Sequence, residues 1–149
     1  MTTPHATFSL RFFSFLILLL FILVTNVTCD PDGYFHLTNA FNGPGFALDV
    51  SDPSSGELEI SPIANSDGQY WQFVQAPEDP VRFRLQTKLL GGGHSLDVVN
   101  DGVNNIPVLS PTAFVTGQFW TIQKLDERSG LFKLYNNFTG SDKFLSVFR

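Results

Sequence analysis

The sequence predicts an all-β domain built from internal repeats, and three observations carry that prediction. Sixteen Phe, 12 Gly and 9 Pro against a single Met favour strands and turns over helices. Apolar and polar residues alternate with the period of a half-buried strand: in VRFRLQ, Val81, Phe83 and Leu85 fall on one face, and Arg82, Arg84 and Gln86 on the other. The tetrad Gly68-Gln69-Tyr70-Trp71 returns 49 positions later as Gly117-Gln118-Phe119-Trp120, and the two copies hold both tryptophans of the chain. A chain of 149 residues, 43% hydrophobic and 15% charged, suits one compact core and not two.

The elements follow in chain order. Arg11 precedes an apolar run from Phe12 to Val24, interrupted only by Ser14, and the polar stretch Thr25 to Cys29 leads into Asp30. A positive flank, a short apolar segment and a polar end are the layout of a secretory signal peptide. A membrane-spanning helix needs about 20 apolar residues. Residues 1–29 are therefore read as a signal peptide helix removed after Cys29, with the chain held at a membrane only if the segment stays uncleaved. Removal would take away Arg11, no acid and the single cysteine, so the secreted, extracellular domain would hold together by burial without a disulfide.

Three stretches then share one frame: Tyr34 to Asp52, Arg82 to Asn100 and Leu131 to Arg149. Each opens with an aromatic-x-Leu strand, passes a glycine-rich turn and continues as Leu-x-Val; Leu37 and Leu48, Leu85 and Leu96, and Leu134 and Leu145 are each 11 apart. The turns GPG (Gly43 to Gly45), GGG (Gly91 to Gly93) and TGSD (Thr139 to Asp142) supply the positive-φ positions that a reversal needs. A second hairpin arm follows twice, at Leu58 to Pro62 and Pro107 to Pro111, and each of these two units closes on its Gln-aromatic-Trp strand. No helical period is present after the signal segment.

Repeats of this length, with Leu-Asp-Val and a closing Gln-x-Trp, resemble the ricin-B-type lectin domain, a carbohydrate-binding module. The resemblance implies a β-trefoil over 30–149, with one lobe at about 33–77, a second at about 80–127 and a partial third at about 130–149. Trp71 lies 23 residues after Leu48 and Trp120 lies 24 after Leu96, whereas Arg149 comes only four residues after Leu145. The third lobe is thus expected to be incomplete, with an apolar floor and strand edges open to self-association.

The resemblance also implies a function: a secreted, non-catalytic module that binds glycans or glycoproteins through the aspartates of Leu-Asp-Val, Asp49 and Asp97. A carboxylate suits that task, because its two oxygens only accept hydrogen bonds and neighbouring sugar hydroxyls can donate to both. Strand alternation turns Leu48 and Val50 inward and Asp49 outward, and Asp97 repeats this; the third copy carries Ser146 instead. Trp71 and Trp120 are read as lobe-core residues. Gln69 and Gln118 are read as local hydrogen-bonding residues that also contribute to carbohydrate binding at the pocket rim, and Asn100, Asp101 and Asn104 as a polar loop beside Asp97 from which Asn100 and Asn104 join the carbohydrate-binding residues. The pattern departs from the family in two places. Ser61 and Ser110 stand where a sugar-stacking ring usually precedes a proline, and Gly68 and Gly117 stand where an asparagine often precedes the glutamine, which argues against high-affinity galactose-type binding. Phe46, Phe114 and His94 are the alternative sources of a ring. Two other readings remain open: a degenerate trefoil acting through protein contacts, such as a hydrolase inhibitor, and a module separated from a larger secreted glycoside hydrolase.

Composition narrows the rest. A net charge of −5 without a Lys/Arg cluster argues against nucleic acid. After the signal segment only His36 and His94 remain as histidines, so His/Cys metal spacing and a cysteine nucleophile are absent, and no cofactor is expected. Glu57 and Glu59 alternate on a strand and are expected to face water. Asn137-Phe138-Thr139 is an N-glycosylation sequon, as is Asn26-Val27-Thr28 within the signal segment.

Overall fold

The computed structural model describes residues 22–23, 33–100, 104–126 and 128–147. Among them the regular structure is strand, joined by turns and by two single-turn 3-10 segments at Gly91–Gly93 and Thr116–Gln118, with no α-helix. The strands are β1 (Ile22–Leu23), β2 (Phe35–His36), β3 (Thr38–Asn39), β4 (Phe46–Asp52), β5 (Glu57–Pro62), β6 (Tyr70–Ala76), β7 (Asp79–Thr87), β8 (His94–Asn100), β9 (Asn105–Pro111), β10 (Trp120–Lys124) and β11 (Leu131–Asn136). Of the expected signal peptide helix, only Ile22 and Leu23 lie within the described residues, and those two are extended.

Seven strands form one sheet in the order β2-β6-β7-β10-β11-β1-β3. Because β2 and β3 are consecutive pieces of one segment, the order returns to its starting point and comprises six strand positions. Two hairpins stand on this sheet: β4 with β5, and β8 with β9. Their registers match, since Leu48 faces Ile60 in one and Leu96 faces Leu109 in the other. The 11-residue leucine spacing has a simple physical basis. The amide of Leu48 donates to the carbonyl of Leu37, and that of Leu145 to Leu134, both at 2.8 Å, so in these two repeats the spacing closes one strand-turn-strand loop.

The repeated leucines and valines meet in a single core with Trp71 and Trp120, both wholly buried. The two hairpins join where Leu109 donates its amide to the carbonyl of Gly56 at 2.9 Å. A Cβ at Gly56 would stand 2.0 Å from the Leu109 carbonyl oxygen, and its φ is +71°, so only glycine fits this joint. Among the turn glycines, Gly43, Gly91 and Gly140 adopt the positive φ expected of them.

The strand β7 departs from simple alternation. Arg84 and Gln86, expected to face water, are 6% and 9% exposed, whereas Val81 is 67% exposed. The outer face of this strand is covered. Arg84 pairs with Glu78 and lies over the Phe119 ring, and Gln86 donates to Ser95 and to the Gly92 carbonyl. Each buried polar head thus has partners, with Arg84 Nε alone left without a hydrogen bond on these two side chains.

Candidate functional site

The same polar unit is built twice, once in the first repeat and once in the second. Asp49 lies on β4 between Leu48 and Val50, and Asp97 lies on β8 between Leu96 and Val98. The flanking residues are buried and the aspartates half-buried, as alternation requires. Each carboxylate is met by the glutamine of its own repeat: Gln69 Nε2 donates to Asp49 Oδ2 at 2.9 Å, and Gln118 Nε2 to Asp97 Oδ2 at 3.1 Å.

The glutamines are held rigidly. A tight turn closes ahead of each, from the Gln69 amide to the Ser66 carbonyl at 3.0 Å and from the Gln118 amide to Val115 at 3.1 Å. Gln69 Nε2 also donates to the Pro62 carbonyl at 2.9 Å, and its Oε1 accepts the Ala64 amide at 2.8 Å. Gln118 repeats this with the Pro111 carbonyl and the Ala113 amide, both at 2.9 Å. Both side chains are 1% exposed, so they stand behind the aspartates as positioning residues and not at a rim where a ligand would touch them. Their amide hydrogens are fully used.

Gly68 and Gly117 have a role that their residue type did not announce. A Cβ on Gly68 would lie 2.6 Å from Asp49 Oδ1, and one on Gly117 would lie 2.1 Å from Asp97 Oδ1. The bare Cα is the seat of the carboxylate. Asp97 Oδ1 also accepts the Val98 amide at 2.7 Å. Each carboxylate therefore keeps a fixed direction while lone pairs remain for an outside donor. Behind each unit a tryptophan donates its indole N–H to the core: Trp71 to the Leu48 carbonyl and Trp120 to the Leu96 carbonyl, both at 2.8 Å.

The other expected site residues are scattered. Asn100 pairs with Asn105 at the tip of the β8–β9 hairpin, with Asn104 beside it, whereas Asp97 faces Val108 further down the strands. Three residues of strand are about 10 Å, so the structure does not gather these asparagines with Asp97. Asp101 lies outside the described residues. Ser61 faces Ala47 and donates to Glu59, itself directly across from Asp49; Ser110 faces Ser95. Phe46 faces Pro62 and is 36% exposed, His94 faces Pro111 and is half-buried, and Phe114 is 71% exposed with its ring edge-on to Phe119 at 5.3 Å. Ser146 is half-buried next to Leu145, and Asn137 is exposed in the turn after β11.

Sequence reasoning missed the partners that hold the glutamines. Pro62 with Ala64 and Pro111 with Ala113 recur at the same 49-residue interval as the tetrad, in SPIA and SPTA, and that recurrence was the available signal. It also missed the brace behind the second unit. Arg84 donates to the Ala113 carbonyl at 3.3 Å and pairs with Glu78 at 3.1 Å, so it steadies the residue whose amide holds Gln118. The Arg84 guanidinium hydrogen-bonds Glu78 and holds its carboxyl below the ordinary value of 4.5. Among the described residues, no group of three or more His, Cys, Asp or Glu is gathered to hold a metal, and no helix is long and apolar enough to cross a membrane. No protein-family model and no curated protein matches the chain.

Proposed function

We propose that the protein is a secreted, non-catalytic, lectin-like module of β-trefoil architecture, with Asp49 and Asp97 as the anchors of two glycan sites. The observation that carries this reading is the doubled Asp-Gln-Gly unit: two half-buried carboxylates, each aimed by a buried glutamine and seated on a glycine. A core needs neither acid, and orienting an acceptor this rigidly serves recognition of hydroxyl donors. Two weak sites on one chain suit a multivalent ligand such as a glycoprotein, where linked binding events raise the overall affinity.

A second reading, a trefoil that works through protein contacts, is favoured by the apolar surface at Phe114 and Val115, 71% and 42% exposed. A glycan-array screen of the folded protein, with an Asp49→Ala/Asp97→Ala double variant as control, separates the two. Binding lost in the double variant supports the lectin reading. A folded protein that is silent on every glycan overturns it and favours the protein-contact reading.

A further inference from the structure

The two Asp-Gln-Gly units share their polar frame and differ in the residue directly across the hairpin from each aspartate. Asp49 faces Glu59, and Asp97 faces Val108. Directly opposed residues on one face of an antiparallel pair hold their Cβ atoms about 5 Å apart, so each partner stands beside its carboxylate. Both partners are half-buried. Both lie on the outer face of their hairpin, because the residues flanking them, Leu58 and Ile60 in one case and Pro107 and Leu109 in the other, are buried.

The rest of each outer face follows the partner. Next to Asp97 and Val108 the second hairpin carries the Val99–Ile106 pair, with Val99 47% exposed, so Asp97 sits at the end of a strip of branched aliphatic side chains. The corresponding face of the first hairpin is polar. Ser61 donates to Glu59 Oε1 at 2.8 Å, which fixes a second carboxylate beside Asp49, and Ser51 is exposed on the same side. A carboxylate accepts hydroxyl hydrogens and loses hydration when a methyl group covers it, whereas an isopropyl group gains by the same cover and offers a hydroxyl nothing.

We propose that the residue facing the aspartate sets the sugar each unit takes. Val108 makes the second unit selective for a neutral sugar that carries a methyl group close to the hydroxyl given to Asp97, and Glu59 turns the first towards a sugar with two neighbouring free hydroxyls. The methyl belongs to an N-acetyl group or to a 6-deoxy carbon, and both offer the same contact. This inference rests on the lectin reading and extends it from two like anchors to two specificities within one class of ligand.

The test uses the full chain with one aspartate removed at a time: Asp49→Ala reports the second unit, and Asp97→Ala the first. Each is titrated by amide NMR with two sugar pairs, N-acetylglucosamine against glucose and 6-deoxygalactose against galactose. The Asp49→Ala chain should bind the methyl-bearing member of at least one pair about fourfold tighter, the effect of taking one methyl group out of water, and the pair that shows it identifies the source of the methyl. The Asp97→Ala chain should bind neither methyl-bearing sugar more tightly than its partner. Adding Val108→Glu to the first chain should remove the preference, and adding Glu59→Val to the second should install it. Val108→Thr, which keeps the side-chain shape and exchanges a methyl for a hydroxyl, should weaken the preference and serves where Val108→Glu does not fold. The same preference in both single-unit chains, or one that survives Val108→Glu in a chain with unchanged circular dichroism, overturns the inference and leaves the lectin reading standing. A folded Asp49→Ala chain that binds none of the four sugars also overturns it, while the glycan array decides the lectin reading separately.

Discussion

The first and second repeats share a skeleton and differ in what surrounds it. In both, a tryptophan donates to the leucine carbonyl at 2.8 Å, a glutamine holds an aspartate, and a glycine seats the carboxylate. Around that unit the residues diverge. Tyr70 stacks on His36 at 4.7 Å, shares Lys88 with Tyr34 and donates its hydroxyl to Asn65 at 3.2 Å. At the matching position Phe119 lies under Arg84 and meets Phe114 edge-on. A hydroxyl-amide contact in one repeat is thus replaced by a ring-ring contact in the other, because Tyr70 and Asn65 change together into Phe119 and Phe114. The lesson is that the Asp-Gln-Gly unit travels with the core, whereas the outer surface is free to vary.

The largest expected effect tests the shared skeleton. Trp71→Ala and Trp120→Ala should each lose roughly 3–5 kcal/mol of stability in urea unfolding, since each empties a wholly buried site. Similar losses sharpen the equivalence of the two repeats. A variant that folds normally breaks it.

Glycine substitutions come next. Gly117→Ala and Gly68→Ala should each cost about 1–3 kcal/mol through overpacking and displace the neighbouring aspartate, with the greater cost at Gly117, where the clash is closer. Thermal melts of both variants, paired with glycan binding, check the order. Unchanged melting and binding in Gly117→Ala would remove the carboxylate-seat account.

A smaller effect separates the repeats. Glu78 braces Arg84 and, through Ala113, the second unit only. The Glu78 carboxyl titrates lower in the folded chain than in the unfolded one, chiefly through its hydrogen bond to Arg84, so its contribution is present above the ordinary value of 4.5 and fades as pH falls through the folded value. Amide NMR spectra over an acid titration should accordingly show Ala113 shifting more than Ala64. A Glu78→Gln variant should lose that pH-dependent difference, and shifts of equal size in both repeats would contradict the brace. The smallest effect is that of Tyr70→Phe, which removes an exposed hydroxyl bond and should cost less than about 1 kcal/mol in urea unfolding.

The all-β character of the fold was legible in the sequence, because the leucine pairs and the two tryptophans recur at fixed spacing, and at Leu37–Leu48 and Leu134–Leu145 that spacing closes one loop of backbone. The outer face of β7 was not. Alternation assumes that one face of a strand meets water, and here Glu78 and the Gly91–Gly93 turn cover Arg84 and Gln86. In the candidate site, the aspartates were legible from their repeated register. The burial of Gln69 and Gln118 was not, since glutamine is mostly exposed and the recurring Pro-x-Ala segments supply partners beyond the aspartates. Gly68 and Gly117 read as departures from a binding motif and turned out to be the seats of its acids, a close approach that residue identity alone does not reveal.

The central claim is that two like units bind the same class of ligand. Titration calorimetry with a glycan selected on the array tests it most directly through stoichiometry. The account predicts two sites on the unsubstituted chain, one each on Asp49→Ala and Asp97→Ala, and none on the double variant. Two sites that persist on the folded double variant would contradict it.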